Sequence, residues 1–161
     1  RLGKRALDLM DDMNNWGLPK RLLAEADLFT IDQANEMYGH MNVNYLRLDT
    51  LPVFDKGWGV ILETLRKGAF FSSTGEVLIP SFSVDGGKAV FTVEWTFPLQ
   101  FAELVSGDGE KVYRQRVDLS DTGAFGKKTF HLSFDRRGRK WVRLEVWDVA
   151  ADGAFTQVVE L

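Results

Sequence analysis

Ala89-Val90-Phe91-Thr92-Val93-Glu94-Trp95-Thr96-Phe97 is the stretch that decides the fold. Ala89, Phe91, Val93, Trp95 and Phe97 fall on one face, and Thr92, Glu94 and Thr96 fall on the other. A period of two with a single apolar face marks a half-buried antiparallel strand. Working outward, the same period recurs from Phe70 to the end of the chain. It predicts strands near 69–73, 76–84, 88–97, 99–106, 111–119, 127–134, 140–149 and 154–160. Turn formers separate them: Asp85-Gly86-Gly87, Pro98, Gly107-Asp108-Gly109, Asp121-Thr122-Gly123, Arg137-Gly138 and Asp152-Gly153. Short, evenly spaced strands of this kind predict an Ig-like antiparallel β-sandwich over 71–161. The label is architectural, since the chain has no cysteine to supply the disulfide of antibody domains.

Upstream of Phe70 the period is helical. Leu2, Ala6, Leu9, Met10 and Met13 recur at helical spacing, Asp8, Asp11 and Asp12 take the opposite, solvated face, and Gly17 ends the run. Pro19 suits the first turn of a second helix, to about Ala26. Asp32 to Met37 reads as a helical turn and Val43 to Leu48 as a strand. Trp58, Ile61, Leu62 and Leu65 define a further helix, with Arg66 and Lys67 in its last turn and Gly68 just beyond its end. The predicted class is α+β: a helical segment, 1–70, packed beside the sandwich. The opening at Arg1, inside an amphipathic pattern, reads as a fragment of a longer protein.

Composition narrows the function classes. The 161 residues are 45% hydrophobic and 27% charged, with a formal net charge of −3. That balance argues against nucleic acid as a partner, because such binding needs a basic surface. The densest basic run, Arg136-Arg137-Gly138-Arg139-Lys140, falls between two predicted strands, where a solvated hairpin turn competes with an anion site. Without cysteine there is no disulfide, thiolate nucleophile or cysteine-based metal site. No apolar run approaches the ~18 residues of a membrane span. The compartment stays open, with a periplasmic or extracellular setting favoured for the parent.

Candidate chemistry is sparse. His131 points outward from its strand, with Thr129 and Ser133. His40, in Tyr38-Gly39-His40-Met41-Asn42, is the better loop candidate, either as a ligand or as a structural hydrogen-bonding group. Asp27 and His40 are the candidate metal residues, but they lack the HxH or HExxH spacing of a metal site. No GxSxG elbow, GxGxxG or P-loop is present, and no catalytic residue is assigned. On the 140–149 strand, Trp141, Arg143, Glu145 and Trp147 alternate on one face. Trp141 and Trp147 are candidate stacking residues for a sugar ring, or they lie under the helical segment.

The stretch Trp58 to Pro80, with LRKGAFFSSTGEVLIP at residues 65–80, resembles the end of the metal-dependent hydrolase-like domains of the PHP superfamily, in their CehA/McbA-type branch. Gly68, Gly75 and Leu78 keep the spacing of a GxxxxTxGxxL-like strand that follows the last helix there, with Thr74 one residue beyond its threonine position. Leu144 to Gln157 is similar to the final hairpin of the small C-terminal sandwich in those proteins. The resemblance implies that this chain is the C-terminal part of such a protein, with the HxH metal ligands upstream of Arg1. Asp27 matches the aspartate of a late Ser-Asp-x-His-like motif. Phe29 stands in place of its histidine and has no lone pair to give a metal. The expected role is therefore a non-catalytic accessory or structural region, docked on an upstream PHP-like domain or another protein, with no cofactor of its own. The parent would use a divalent metal. The alternatives are a carbohydrate-binding accessory module and a late-ligand segment of a metal-dependent phosphoesterase-like hydrolase.

Overall fold

A computed structural model describes residues 2–25 and 42–161. Helix α1 spans Leu2–Asn15 and helix α2 Gly59–Lys67. The strands are β1 Val43–Leu46, β2 Phe70–Ser73, β3 Val77–Asp85, β4 Lys88–Trp95, β5 Leu99–Gly107, β6 Val112–Asp118, β7 Gly126–Ser133, β8 Trp141–Asp148, β9 Gly153–Thr156 and β10 Val159–Glu160. All pairings among them are antiparallel. A larger sheet has the order β1-β2-β9-β8-β5-β6, with β10 also on β8, and a smaller one the order β3-β4-β7.

The two sheets face each other across one core. Ala89, Phe91 and Val93 from β4 are fully buried, as are Leu99, Ala102, Val142, Leu144 and Val146 from the larger sheet. The period-two reading of β4 thus places its inward face correctly as far as Trp95. The strand stops there, and Phe97 is 49% exposed. The reason is local: Phe125 N–H bonds to the Thr96 carbonyl and Thr96 N–H to the Glu76 carbonyl, and Pro98 follows, so the chain leaves the ladder before Phe97.

The upstream segment does not stand apart from the sheets. β1 pairs with β2 in the register Val43↔Ser73 to Leu46↔Phe70, and β2 pairs with β9. The larger sheet therefore runs across the expected boundary at residues 70 and 71. Tyr45 and Phe71 stack across it, with ring centroids 4.8 Å apart. Helix α2 ends as its sequence predicts. Gly68 takes φ 71°, and its N–H and that of Ala69 bond back to the carbonyls of Leu65 and Thr64.

A second helix from Pro19 does not form over the described part of its span. Residues 18–25 belong to no helix or strand. Two side-chain amides take the backbone groups that a helix would have used. Leu22 N–H donates to Gln157 Oε1 and its carbonyl accepts from Gln157 Nε2, both at 3.0 Å. Ala24 is clasped the same way by Asn44, at 2.9 Å in both directions. Gln157 is 1% exposed, so this arrangement satisfies a buried amide as well as the strap. The expected turn at Asp32–Met37 lies outside the described residues.

Candidate functional site

The outer face of the larger sheet carries most of the polar chemistry of the described residues. Cross-strand register arranges it in rows. Trp147 faces Phe101, Glu145 faces Glu103, Arg143 faces Val105, and Trp141 faces Gly107. Beyond β5, Glu103 faces Arg116 and Val105 faces Arg114. On the other side, Phe155 lies beside Glu145 and Gly153 beside Trp147.

Helix α1 covers one half of this face. Its inward stripe is Leu7, Met10, Asp11 and Asn15, all buried, whereas Leu9 is 54% exposed. The carboxylate face read as solvated is thus split: Asp12 is exposed, but Asp11 is 1% exposed. The physical reason is Arg143, which is fully buried beneath the helix. Asp11 accepts from Arg143 Nε at 2.5 Å and Nη2 at 2.8 Å, a bidentate pair. Glu145 Oε1 also accepts from Arg143 Nη2, at 3.1 Å. Arg114 closes the cluster from β6, donating to Glu103 (2.8 Å), Asp8 (2.7 Å), Asp11 (3.0 Å) and Glu145 (3.3 Å).

Burial pushes the Asp11 carboxyl above the usual carboxylate range, against the pull of Arg143 and Arg114. The guanidinium of Arg143 stays charged, because the hydrogen bonds and charge of Asp11 outweigh its own desolvation. Breaking such a pair leaves an uncompensated buried charge, so the cluster fixes where α1 lies. Asn15 completes the seat: its Oδ1 accepts from Gly109 N–H (3.1 Å) and from Trp141 Nε1 (3.2 Å). A Cβ at position 107 would collide with Asn15 Oδ1 and the Trp141 indole, so glycine there lets the helix approach.

The other half of the face is uncovered by α1. It forms the floor of a cleft of about 790 Å³ that includes Phe101, Glu103, Trp147 and Phe155, bounded by Ala6 to Asp8 and Leu22 to Glu25. That volume is within the ~300–1,000 Å³ usual for ligand clefts. Trp147 donates its Nε1–H to Glu145 Oε2 at 2.9 Å. The Arg116 guanidinium lies 3.4 Å over the Phe101 ring.

The two tryptophans read from the sequence therefore do not form a pair. Trp141 is 4% exposed under α1, so its ring offers no face to a ligand, while Trp147 is half-buried in the cleft. His131 is exposed on β7, as expected. In the basic hairpin, Arg137 pairs with Asp135 at 3.0 Å, and Arg139 lies 3.2 Å over the Tyr113 ring. Asp27, Phe29 and His40 lie outside the described residues. Among the described residues, no group of three or more His, Asp or Glu side chains converges on one point. Also among them, no helix is long and apolar enough to cross a membrane.

Sequence reasoning missed Asp11, Arg114 and Glu103. The signal present was the odd placement of Arg143 between two tryptophans on a strand apolar on both faces. No family model, curated protein or solved structure matches the chain.

Proposed function

We propose that the chain is a non-catalytic accessory region of a PHP-like, hydrolase-related protein, with an Ig-like sandwich as its body, and that it docks on the upstream PHP-like domain of that protein. The observation that carries this reading is an apolar shelf before and along α2. Leu51 is 88% exposed, Phe54 86% and Trp58 66%, and Val53, Val60 and Leu62 are exposed with them. Large apolar side chains gathered in one segment mark an interaction surface, whereas single ones do not. Aromatic rings are also the residue type that anchors interfaces. Trp16, at 67% exposure, extends the same tendency to the end of α1, whereas Met10 is buried within this chain.

The test is binding of this chain to the separately expressed upstream domain, followed by calorimetry. The shelf variant Phe54→Ser/Trp58→Ser is expected to weaken association at least about tenfold, as loss of two interface aromatics does. Its urea midpoint should stay at the wild-type value, because both rings are exposed. Unchanged association in that variant, or none in the wild type, sinks the reading.

A further inference from the structure

We infer that the half of the outer face that α1 leaves open among the described residues is a carbohydrate site, taking a neutral pyranose stacked on Trp147. This site is separate from the apolar shelf and does not rest on the docking reading.

Three observations carry it. The first is that the indole is held rigidly. A Cβ at position 153 would meet Trp147 Cε3 at 2.5 Å, Cδ2 at 2.6 Å and the Val146 carbonyl at 2.7 Å, so the ring is seated directly against bare backbone. Glu145 fixes its edge through Nε1–H. A ring with its rotamer set and one side on backbone offers its remaining surface to the cleft at little entropic cost. The C–H face of a pyranose is apolar and flat, and fits such a surface.

The second is the polar lining. A sugar presents hydroxyls around its rim, each able to donate and accept. Beside Trp147 the cleft supplies acceptors from Glu103 and Glu145, donors from Arg114 and Arg116, and the mixed groups of Gln100 and Thr74. A purely apolar ligand would strip water from these charged groups and give nothing back. Hydroxyls replace that water.

The third is charge. Four carboxylates line the cleft (Asp8, Glu25, Glu103 and Glu145), against the guanidiniums of Arg114 and Arg116. Arg114 is already shared among Asp8, Asp11, Glu103 and Glu145, and Arg116 lies on Phe101. An anionic ligand meets net repulsion here. A cationic one meets carboxylates already engaged, since Glu145 serves Arg143, Arg114 and Trp147, and Glu103 serves Arg114. A neutral polyol fits the remaining hydrogen-bonding capacity.

The probes are cellohexaose, xylohexaose, mannohexaose, maltohexaose and chitohexaose, with hexagalacturonate as the acidic counterpart, each at millimolar concentration. In the unaltered chain, at least one neutral hexaose should shift the indole N–H resonance of Trp147 saturably. That of Trp141, bonded to Asn15 under α1, should stay in place. By calorimetry, Trp147→Ala is expected to weaken that hexaose about tenfold or more, and Trp147→Phe less, because phenyl keeps part of the stacking surface. The inference is overturned if no neutral hexaose moves the Trp147 resonance, if hexagalacturonate alone does so, or if Trp147→Ala binds as tightly as the wild type. The resonance test needs no substitution, so it decides even if the alanine variant fails to fold.

Discussion

Trp141 and Trp147 stand on one strand and one face, yet the first is interior and the second lines a cleft. The strand is the same for both, and so is the type of side chain. What differs is the third layer: α1 lies over Trp141 and Arg143 and leaves Trp147, Phe101 and Phe155 uncovered. The lesson is that a sheet face acquires a core half and a surface half from whatever packs upon it. Here a charged pair, Asp11 with Arg143, sets that division.

The sharpest way to break the comparison is to cut the pair. Asp11→Ala leaves the fully buried Arg143 guanidinium without its bidentate partner, and should cost about 3–5 kcal/mol by urea denaturation. Asp11→Leu with Arg143→Met should recover most of that loss, since apolar replacement of a buried pair is often neutral or stabilising. A cost under ~1 kcal/mol for Asp11→Ala would mean that α1 is not anchored where the geometry puts it.

A second experiment weighs the two halves directly. Trp141→Ala should lose about 3–5 kcal/mol, as a large core truncation does. Trp147→Ala should lose less than Trp141→Ala, because Trp147 is only partly buried whereas Trp141 is 4% exposed. Equal losses would show that the cleft is closed in solution.

The smallest effect concerns the β5–β6 hairpin, which borders the covered half through Gly109 and Asn15. Asp108 accepts from the N–H groups of Lys111 and Glu110 and from the Tyr113 hydroxyl, and these hold its carboxyl down to about 2. A depressed carboxylate contributes stability that is present above its unfolded value near 4 and is lost as pH falls toward about 2. Asp108→Asn should lower stability at neutral pH, leave stability near pH 2 little changed, and so flatten the acid limb of the stability curve in that window. An NMR titration of Asp108 with its midpoint near 4 would refute the assignment.

Much of this was legible in the sequence. The strands from β2 to β8 were readable to within one or two residues, because alternation is a local property and the turns carry glycine, proline or aspartate; the single strand expected at 154–160 is instead split into β9 and β10. The helix ends at Gly17 and Gly68 were readable for the same reason. The strap at 18–25 was not. Its leucines and alanine suit a helix, but its hydrogen bonds come from Gln157 and Asn44, which local periodicity cannot see. The Asp11–Arg143 contact spans 132 residues of chain and left only an indirect trace, an arginine on a strand apolar on both faces. The candidate site was half legible: Trp147 was singled out, but the pairing with Trp141 assumed that spacing along one face implies shared exposure.

The sequence by itself determined most of the strands, the inward face of β4 and most of the turns, because side-chain alternation and turn chemistry act within a few residues. Only the tertiary structure decided which part of the outer face became interior. That choice depends on the free energy of burying one arginine, which is tolerable only where a distant carboxylate meets it in the right geometry.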